Sequence, residues 1–194
     1  NNPLGGTTKK GKTDTSSAKK LEDFKNENPL MAVFNANIDN SGYFQKSPVI
    51  GYVNVLDTAK FTEFINIPDV RAVFPKEADF LYGAKPFVGS DKKSKFYEVY
   101  AVKRNTSNGK APLDGSAVEQ AGPDTDPQGR STVSMKMNSI GARTWRDLTR
   151  KNVGNCIAIV LDNQVYSAPN VENEIDGGSS QITGGFDAQE ATDL

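Results

Sequence analysis

Apolar and polar residues alternate most regularly in the last third of the chain. Over residues 132–137, the sequence TVSMKM places Val133, Met135 and Met137 on one face and polar residues on the other. Since successive side chains of a strand point to opposite faces, this alternation predicts a strand with one buried face.

The pattern then changes to the spacing of a helix. A helix is predicted from about residue 140 to residue 151, with Asn138 or Ser139 as its N-cap and Gly154 as a left-handed stop. Three residues at helical spacing are expected to face inward: Ala142, Trp145 and Leu148. Arginines occupy the opposite side of this helix: Arg143, Arg146 and Arg150.

A β-hairpin is predicted directly after that helix. Six apolar residues run from Cys156 to Leu161, and a second strand-like run ends at Pro169. The intervening Asp162 and Asn163 both tolerate positive φ, which favours a tight two-residue turn. Trp145 and Leu148 are expected to pack on the first strand, against Ile157, Ile159 and Leu161, and Cys156 is expected to be a buried, inert thiol.

In the middle of the chain the hydrophobic pattern is weaker, but it still predicts further strands and a helix. Strands are expected at 49–55, 70–74 and 96–103, and a short helix follows Asp57, whose carboxylate is its expected cap. Phe61, Phe64 and Ile65 share one face of that helix. Residues 104–131 are expected to be a long polar connection, with one helical turn at 117–122.

Together these elements predict an α+β fold, with a mixed or antiparallel sheet and helices packed on one face. Residues 1–26 are rich in Gly, Thr, Ser and Lys, and they are expected to form a disordered linker. The folded domain is expected to span 27–186. Residues 187–194 are expected to begin a helix that is cut short, so the chain is interpreted as a fragment.

Composition narrows the possible chemistry. The 194 residues carry a net charge of −1, which provides no overall field for holding nucleic acid. Histidine is absent and there is one cysteine, so the commonest acid–base group and a cysteine-based zinc site are both missing. No apolar run is long enough to span a bilayer. We expect no catalytic residues, metal or cofactor.

Several local patterns still have a functional alternative. Residues 6–13, GTTKKGKT, fit a phosphate-binding loop, but the flanking strand and helix that such a loop requires are missing. Two carboxylates that are distant in the chain could form a hydrolase site. The arginine stripe could bind an acidic partner or be a solvated face, and Tyr166 and Phe186 could form a contact surface or belong to the core.

The segment from residue 113 to residue 194 resembles the first large extracytoplasmic domain of SecD or of a fused SecDF. The shared runs are LDGSAVEQA at 113–121, GARTWRDLTRKNVG at 141–154, IAIVLD at 157–162 and VYSAP at 165–169. Residues 175–178 (IDGG), 182–186 (ITGGF) and 190–191 (EA) complete the likeness. Residues 27–112 match the family less closely, and within them the run from GYVNV to GAKP at 51–86 resembles the variable part of Bacteroidetes-like fused forms.

This resemblance implies a function in protein export. The domain would be the head region of a periplasmic domain in a bacterial inner-membrane protein, next to a ferredoxin-like base. It would contact unfolded secretory preproteins during late, proton-driven secretion, with the SecYEG channel and the SecF part as partners. Candidate contact residues are Tyr166, Phe186, Arg143, Arg146 and Arg150. A purely structural spacer is the other possibility.

Overall fold

Two β-sheets form the frame of the computed structural model, which describes residues 27–104 and 110–183. The larger sheet has the strand order β1-β2-β5-β3-β9-β8, with β4 paired to β5, and the smaller sheet has the order β10-β7-β6. The strands are β1 (Phe34–Ala36), β2 (Val49–Asn54), β3 (Ala78–Gly83), β4 (Phe87–Val88), β5 (Lys95–Lys103), β6 (Val118–Thr125), β7 (Ser131–Met137), β8 (Ile159–Leu161), β9 (Gln164–Ser167) and β10 (Ser179–Thr183). The helices are α1 (Pro29–Val33), α2 (Thr58–Ile65), α3 (Pro68–Arg71) and α4 (Ser139–Lys151). The predicted α+β class is confirmed.

Strand β5 lies at the centre of the larger sheet, between β2 and β3, and pairs antiparallel to both. Val99 on β5 and Val53 on β2 are completely buried. Phe61 and Ile65 of α2 cover them, as the spacing of apolar residues predicted, and Phe34 stacks on Phe61 with ring centroids 5.3 Å apart. This helix-covered face is therefore the main core of the molecule.

Two predictions near α2 are wrong. Asp57 makes no capping bond, and its carboxylate instead accepts from the ammonium of Lys60 at 3.3 Å. The expected strand at 70–74 is absent: the chain enters α3 at Pro68, whose fixed φ suits the first turn of a helix, and Val73 is 79% exposed. The strand that completes this part of the sheet is β3, a few residues farther on.

The predicted hairpin is present but shorter than its apolar pattern indicated. Asp162 and Asn163 have φ values of 48° and 60°, which confirms the two-residue turn between β8 and β9. Regular pairing begins only at Ile159, because the preceding segment makes isolated bridges such as Cys156 to Asn170. Cys156 is exposed, so the expectation of a buried thiol is wrong.

The smaller sheet contains a second correction. Residues 118–125, expected to be a polar connection with a helical turn, form β6 and pair with β7 over its whole length. Backbone pairing with a neighbouring strand overrides the weak local preference of this segment. Val133 and Met137 of β7 are buried as predicted, but Thr132, expected on the outer face, is buried too.

Helix α4 agrees closely with the prediction. The side chain of Asn138 accepts from the N–H groups of Ile140 at 3.1 Å and Gly141 at 2.8 Å, so it is the N-cap. Gly154, two residues beyond the C-cap Asn152, has a φ of 79°, as expected for the stop. No helix in the described ranges has the length and apolar character needed to cross a bilayer.

Four predictions lie outside the described residues. They are the disordered linker at 1–26, the phosphate-loop match at 6–13, the contact residue Phe186 and the helix start at 187–194.

The contact between α4 and β10 gives a stability prediction. Gly178 has a φ of 72°, and a Cβ added there would lie 2.5 Å from the Cβ of Ala142; Gly154 has a similar φ but open space around it. We expect Gly154→Ala to cost about 1–2 kcal/mol through backbone strain alone, and Gly178→Ala about 3 kcal/mol because the clash is added. Urea denaturation of both variants measures this, and equal losses would contradict the close approach.

The β6–β7 turn gives a pH prediction. The carboxylate of Asp126 accepts from the N–H of Arg130 at 2.9 Å, from Arg130 Nε at 2.6 Å and from the N–H of Gln128 at 2.9 Å. The bond from the Arg130 backbone contributes most to holding the pKa of Asp126 below its ordinary value of 3.8. The ionised carboxylate of Asp126 therefore stabilises the fold fully above pH 3.8, the ordinary pKa. This stabilisation disappears as the pH falls through the lower pKa of the folded state. Denaturation midpoints of the wild type and Asp126→Asn should converge between about pH 5 and about pH 2; a gap that is constant with pH would contradict this.

Candidate functional site

A large open cleft separates the two sheets. Its volume is about 1630 Å³, which exceeds the roughly 300–1,000 Å³ of a typical small-molecule pocket. Apolar side chains from both sheets line it, including Leu81, Tyr100 and Val102 on one side and Val133, Met135 and Ile182 on the other. The cleft is thus larger than a typical small-molecule pocket, and its walls are mainly apolar.

The two sheets meet where the hairpin crosses. Ile159 of β8 packs on the buried pair Val133 and Ile182 of the smaller sheet. Beyond this contact, Val160 and Leu161 are 36% and 39% exposed. Leu161 is therefore not buried beneath the helix as expected, and it lines the open cleft together with Trp145, Leu148 and Ile157.

Helix α4 closes one end of the cleft and is held by a tryptophan. The indole Nε1 of Trp145 donates to Oγ of Ser180 on β10 at 2.7 Å. This bond satisfies the polar edge of a half-buried ring and fixes the ring against the smaller sheet. The prediction that Trp145 and Leu148 face inward is consistent with this position.

A buried threonine connects the same helix to the segment that follows the hairpin. Thr149 is completely inaccessible to solvent, and its hydroxyl lies 2.9 Å from the carbonyl oxygen of Trp145. The same hydroxyl oxygen accepts from the N–H of Ile175 at 3.0 Å. Thr149 therefore satisfies a backbone donor of a loop that has no regular structure.

Strand β8 provides an open edge next to the cleft. It pairs with β9 on one side, and no strand in the described ranges pairs with its other side. An unpaired edge presents backbone N–H and C=O groups to any extended chain that approaches. The edge is only three residues long, so it provides few such groups.

The carboxyl groups give no sign of an acid catalyst. The perturbed carboxyls in the described ranges, Asp91, Asp114 and Asp126, all have a pKa below the ordinary value. For Asp114, which lies at the cleft, the main cause is the hydrogen bond from the hydroxyl of Ser116. A glycosidase-type acid needs a shift in the opposite direction.

Four of the predicted contact residues lie in the described ranges, and none of them lines the cleft: Arg143, Arg146, Arg150 and Tyr166. Tyr166 is 37% exposed on β9, which speaks against the core alternative for this residue. Arg143 and Arg150 are exposed on α4, and Arg150 donates to Asp147 at 2.8 Å. Arg146 lies 3.8 Å from Glu174 and 3.9 Å from Asp176, so it joins the helix to the following loop. The stripe is thus partly neutralised.

Sequence reasoning missed most of the cleft. Its walls come from strands far apart in the chain, such as β3, β6 and β10, and no local pattern indicates which faces oppose each other. The available signals were the inward face of α4 and the apolar run at 156–161, both of which line the cleft.

The described residues thus form a two-sheet α+β module with a large, mainly apolar cleft. A family model for the SecDF P1 head subdomain matches residues 90–194. The chain therefore belongs to the SecDF P1 head subdomain family. The likeness expected for residues 113–194 is confirmed, and the match begins earlier, at residue 90.

Individual relatives agree with that assignment. The chain is 39% identical over 168 residues to the protein translocase subunit SecD of Rhodothermus marinus, covering 86% of this chain and 25% of the relative. It is 45% identical over 91 residues to SecD of Leptotrichia buccalis, covering 47% of this chain and 22% of that protein. It therefore spans about a quarter of the length of these relatives.

Solved structures of SecDF are also similar. A SecDF described as a membrane component that enhances protein export is 36% identical, with a TM-score of 0.39, over 42% of this chain and 37% of that one. SecDF from Thermus thermophilus is 20% identical, with a TM-score of 0.38, over 82% of this chain and 27% of that one.

The hydrogen bond between Thr149 and the backbone of Ile175 gives a stability prediction. Thr149→Val keeps the shape but leaves the N–H of Ile175 without its acceptor, which should cost about 1–3 kcal/mol of unfolding free energy. Thr149→Ser keeps the hydroxyl and is the matched control, with a loss of about 1 kcal/mol for the missing methyl. Hydrogen exchange at the Ile175 amide should accelerate only in the valine variant. Equal exchange in both variants would show that the bond does not hold the loop.

Proposed function

We propose that this chain is the head of a bacterial Sec translocase subunit and that its cleft binds unfolded stretches of secretory proteins without catalysis. The observation that carries the proposal is the apolar cleft of about 1630 Å³, open to solvent and bordered by the unpaired edge of β8. Membership in the SecDF P1 head subdomain family supports it.

The chemistry of the cleft fits such a ligand. An unfolded secretory segment exposes apolar side chains and unpaired backbone groups at once. The side chains of Val102, Met135 and Leu161 offer apolar contact, and the edge of β8 offers backbone hydrogen bonds. Neither kind of contact requires a particular sequence. Weak binding with little sequence preference is the expected result.

The residues predicted from the sequence form a second, outer contact in this proposal. Arg143 and Arg150 lie on the exposed side of α4, away from the cleft, and Tyr166 lies on β9. They would contact portions of the preprotein that extend beyond the cleft. Their contribution should be small, because exposed charges are screened by salt.

The wider role rests on the relatives. They are named protein translocase subunits, and one solved SecDF is described as a membrane component that enhances protein export. By extension, we place this head on the periplasmic side of the inner membrane. There it would assist late-stage secretion driven by the proton gradient, next to the SecYEG channel and the SecF part.

Photocrosslinking tests the cleft. Benzoylphenylalanine replaces Leu161 at the cleft or Leu56, which is 88% exposed and lies outside it. The probe is a secretory protein kept unfolded by reduction and carboxymethylation. Crosslinks are expected at position 161, several times more frequently than at position 56, because only the first position lies where the segment binds.

The native, folded form of the same secretory protein is the control, and it should crosslink at neither position. Crosslinks that are as frequent at position 56 as at position 161 would contradict a binding cleft. No crosslink at either position would favour a spacer role for the head.

A further inference from the structure

The turn between β4 and β5 carries a concentration of positive charge, and its residues do not line the cleft. Residues 85–95, which we call the lysine tip, contain one acidic residue, Asp91, and four lysines: Lys85, Lys92, Lys93 and Lys95. The whole chain has a net charge of −1. The lysine tip is therefore a local positive patch on a nearly neutral chain.

The single carboxylate of the tip is occupied in building the turn. Oδ1 of Asp91 accepts from the N–H groups of Lys93 and Ser94, both at 2.9 Å, and Oδ2 accepts from the hydroxyl of Ser94 at 2.5 Å. The N–H of Gly89 donates to the carbonyl of Ser94 at 2.8 Å. Lys92 has a φ of 57°, so the turn presents it in a fixed left-handed conformation.

Three of the four lysines are available to an external partner. In the described part of the chain, Lys92, Lys93 and Lys95 are exposed and form no ion pair. Their charge is thus not neutralised from within the fold, unlike that of Arg146 and Arg150 on α4.

Exposed apolar side chains lie directly beside these lysines. Phe87 and Val88 are 40% and 57% exposed. Val88 is paired with Lys95 across the two strands, so an aliphatic group and an ammonium group are neighbours on one face. Phe87 is paired with Phe96, with ring centroids 6.1 Å apart, on the other face.

We propose that the lysine tip docks on the surface of a bilayer that contains anionic phospholipids. The lysines would lie among the phosphate groups while Val88, on the same face as Lys95, enters the headgroup layer. An acidic polypeptide would match the charge but would leave the exposed Val88 in water. The bilayer surface satisfies both features, and it needs no groove.

A site-specific label tests this docking on the whole 194-residue chain. In a Cys156→Ser background, Val88→Cys and Val73→Cys each carry an environment-sensitive fluorophore; both valines are exposed, and Val73 lies outside the lysine tip. The probes are vesicles of phosphatidylglycerol with phosphatidylethanolamine, vesicles of phosphatidylcholine alone, and polyglutamate. We expect a blue shift at position 88 with the anionic vesicles only, and none at position 73. This comparison also separates the tip from the lysines of residues 1–26.

Charge variants complete the test. Replacing Lys92, Lys93 and Lys95 with Gln should weaken the response at position 88 by about 100-fold, at roughly fivefold per lysine. The same change at Lys60, Lys76 and Lys151 removes equal charge elsewhere and should leave the response unchanged. An absent response, an equal response at position 73, or undiminished binding by the first triple variant would overturn the proposal. A shift with polyglutamate and none with vesicles would overturn it in favour of an acidic polypeptide.

Discussion

The contact between Ile159 and the buried pair Val133 and Ile182 is the interaction on which the arrangement of the two sheets depends. Ile159 belongs to the larger sheet and the other two residues to the smaller one. One side chain at this crossing buries too little surface to close the space between the sheets, so the walls diverge into a cleft of about 1630 Å³. The proposed binding cleft would therefore be a consequence of sparse packing, and each sheet must keep its shape through its own core.

The smaller sheet keeps its shape through α4. Gly178 allows the chain before β10 to approach Ala142 closely, Trp145 bonds to Ser180, and Thr149 holds the amide of Ile175. Each is a short-range contact that requires a specific residue type, in contrast to the adaptable apolar lining of the cleft. Rigid support beneath a tolerant surface is what the proposed binding of many different unfolded segments would require.

Elements with a strong local signal could be predicted from the sequence. The alternation at 132–137, the cap at Asn138 and the turn at Asp162 and Asn163 depend on neighbouring residues, and the structure confirms them. Strand β6 was missed because its partner, rather than its own composition, decides its conformation. The cleft was missed for a related reason: the opposition of its walls depends on how distant strands are paired, which no single sequence displays.

Strand β5 connects the lysine tip to the cleft. It begins at Lys95 in the lysine tip, and Tyr100, Val102 and Lys103 near its other end line the cleft. Eight steps along an antiparallel strand span about 27 Å, and β5 is held on both sides, by β2 and β3, with Val99 fully buried. A tip fixed at a bilayer would thus set the height of the cleft through a stiff central strand. Since both surfaces belong to one sheet, any tilt of the tip would also tilt the wall that is proposed to contact an unfolded chain.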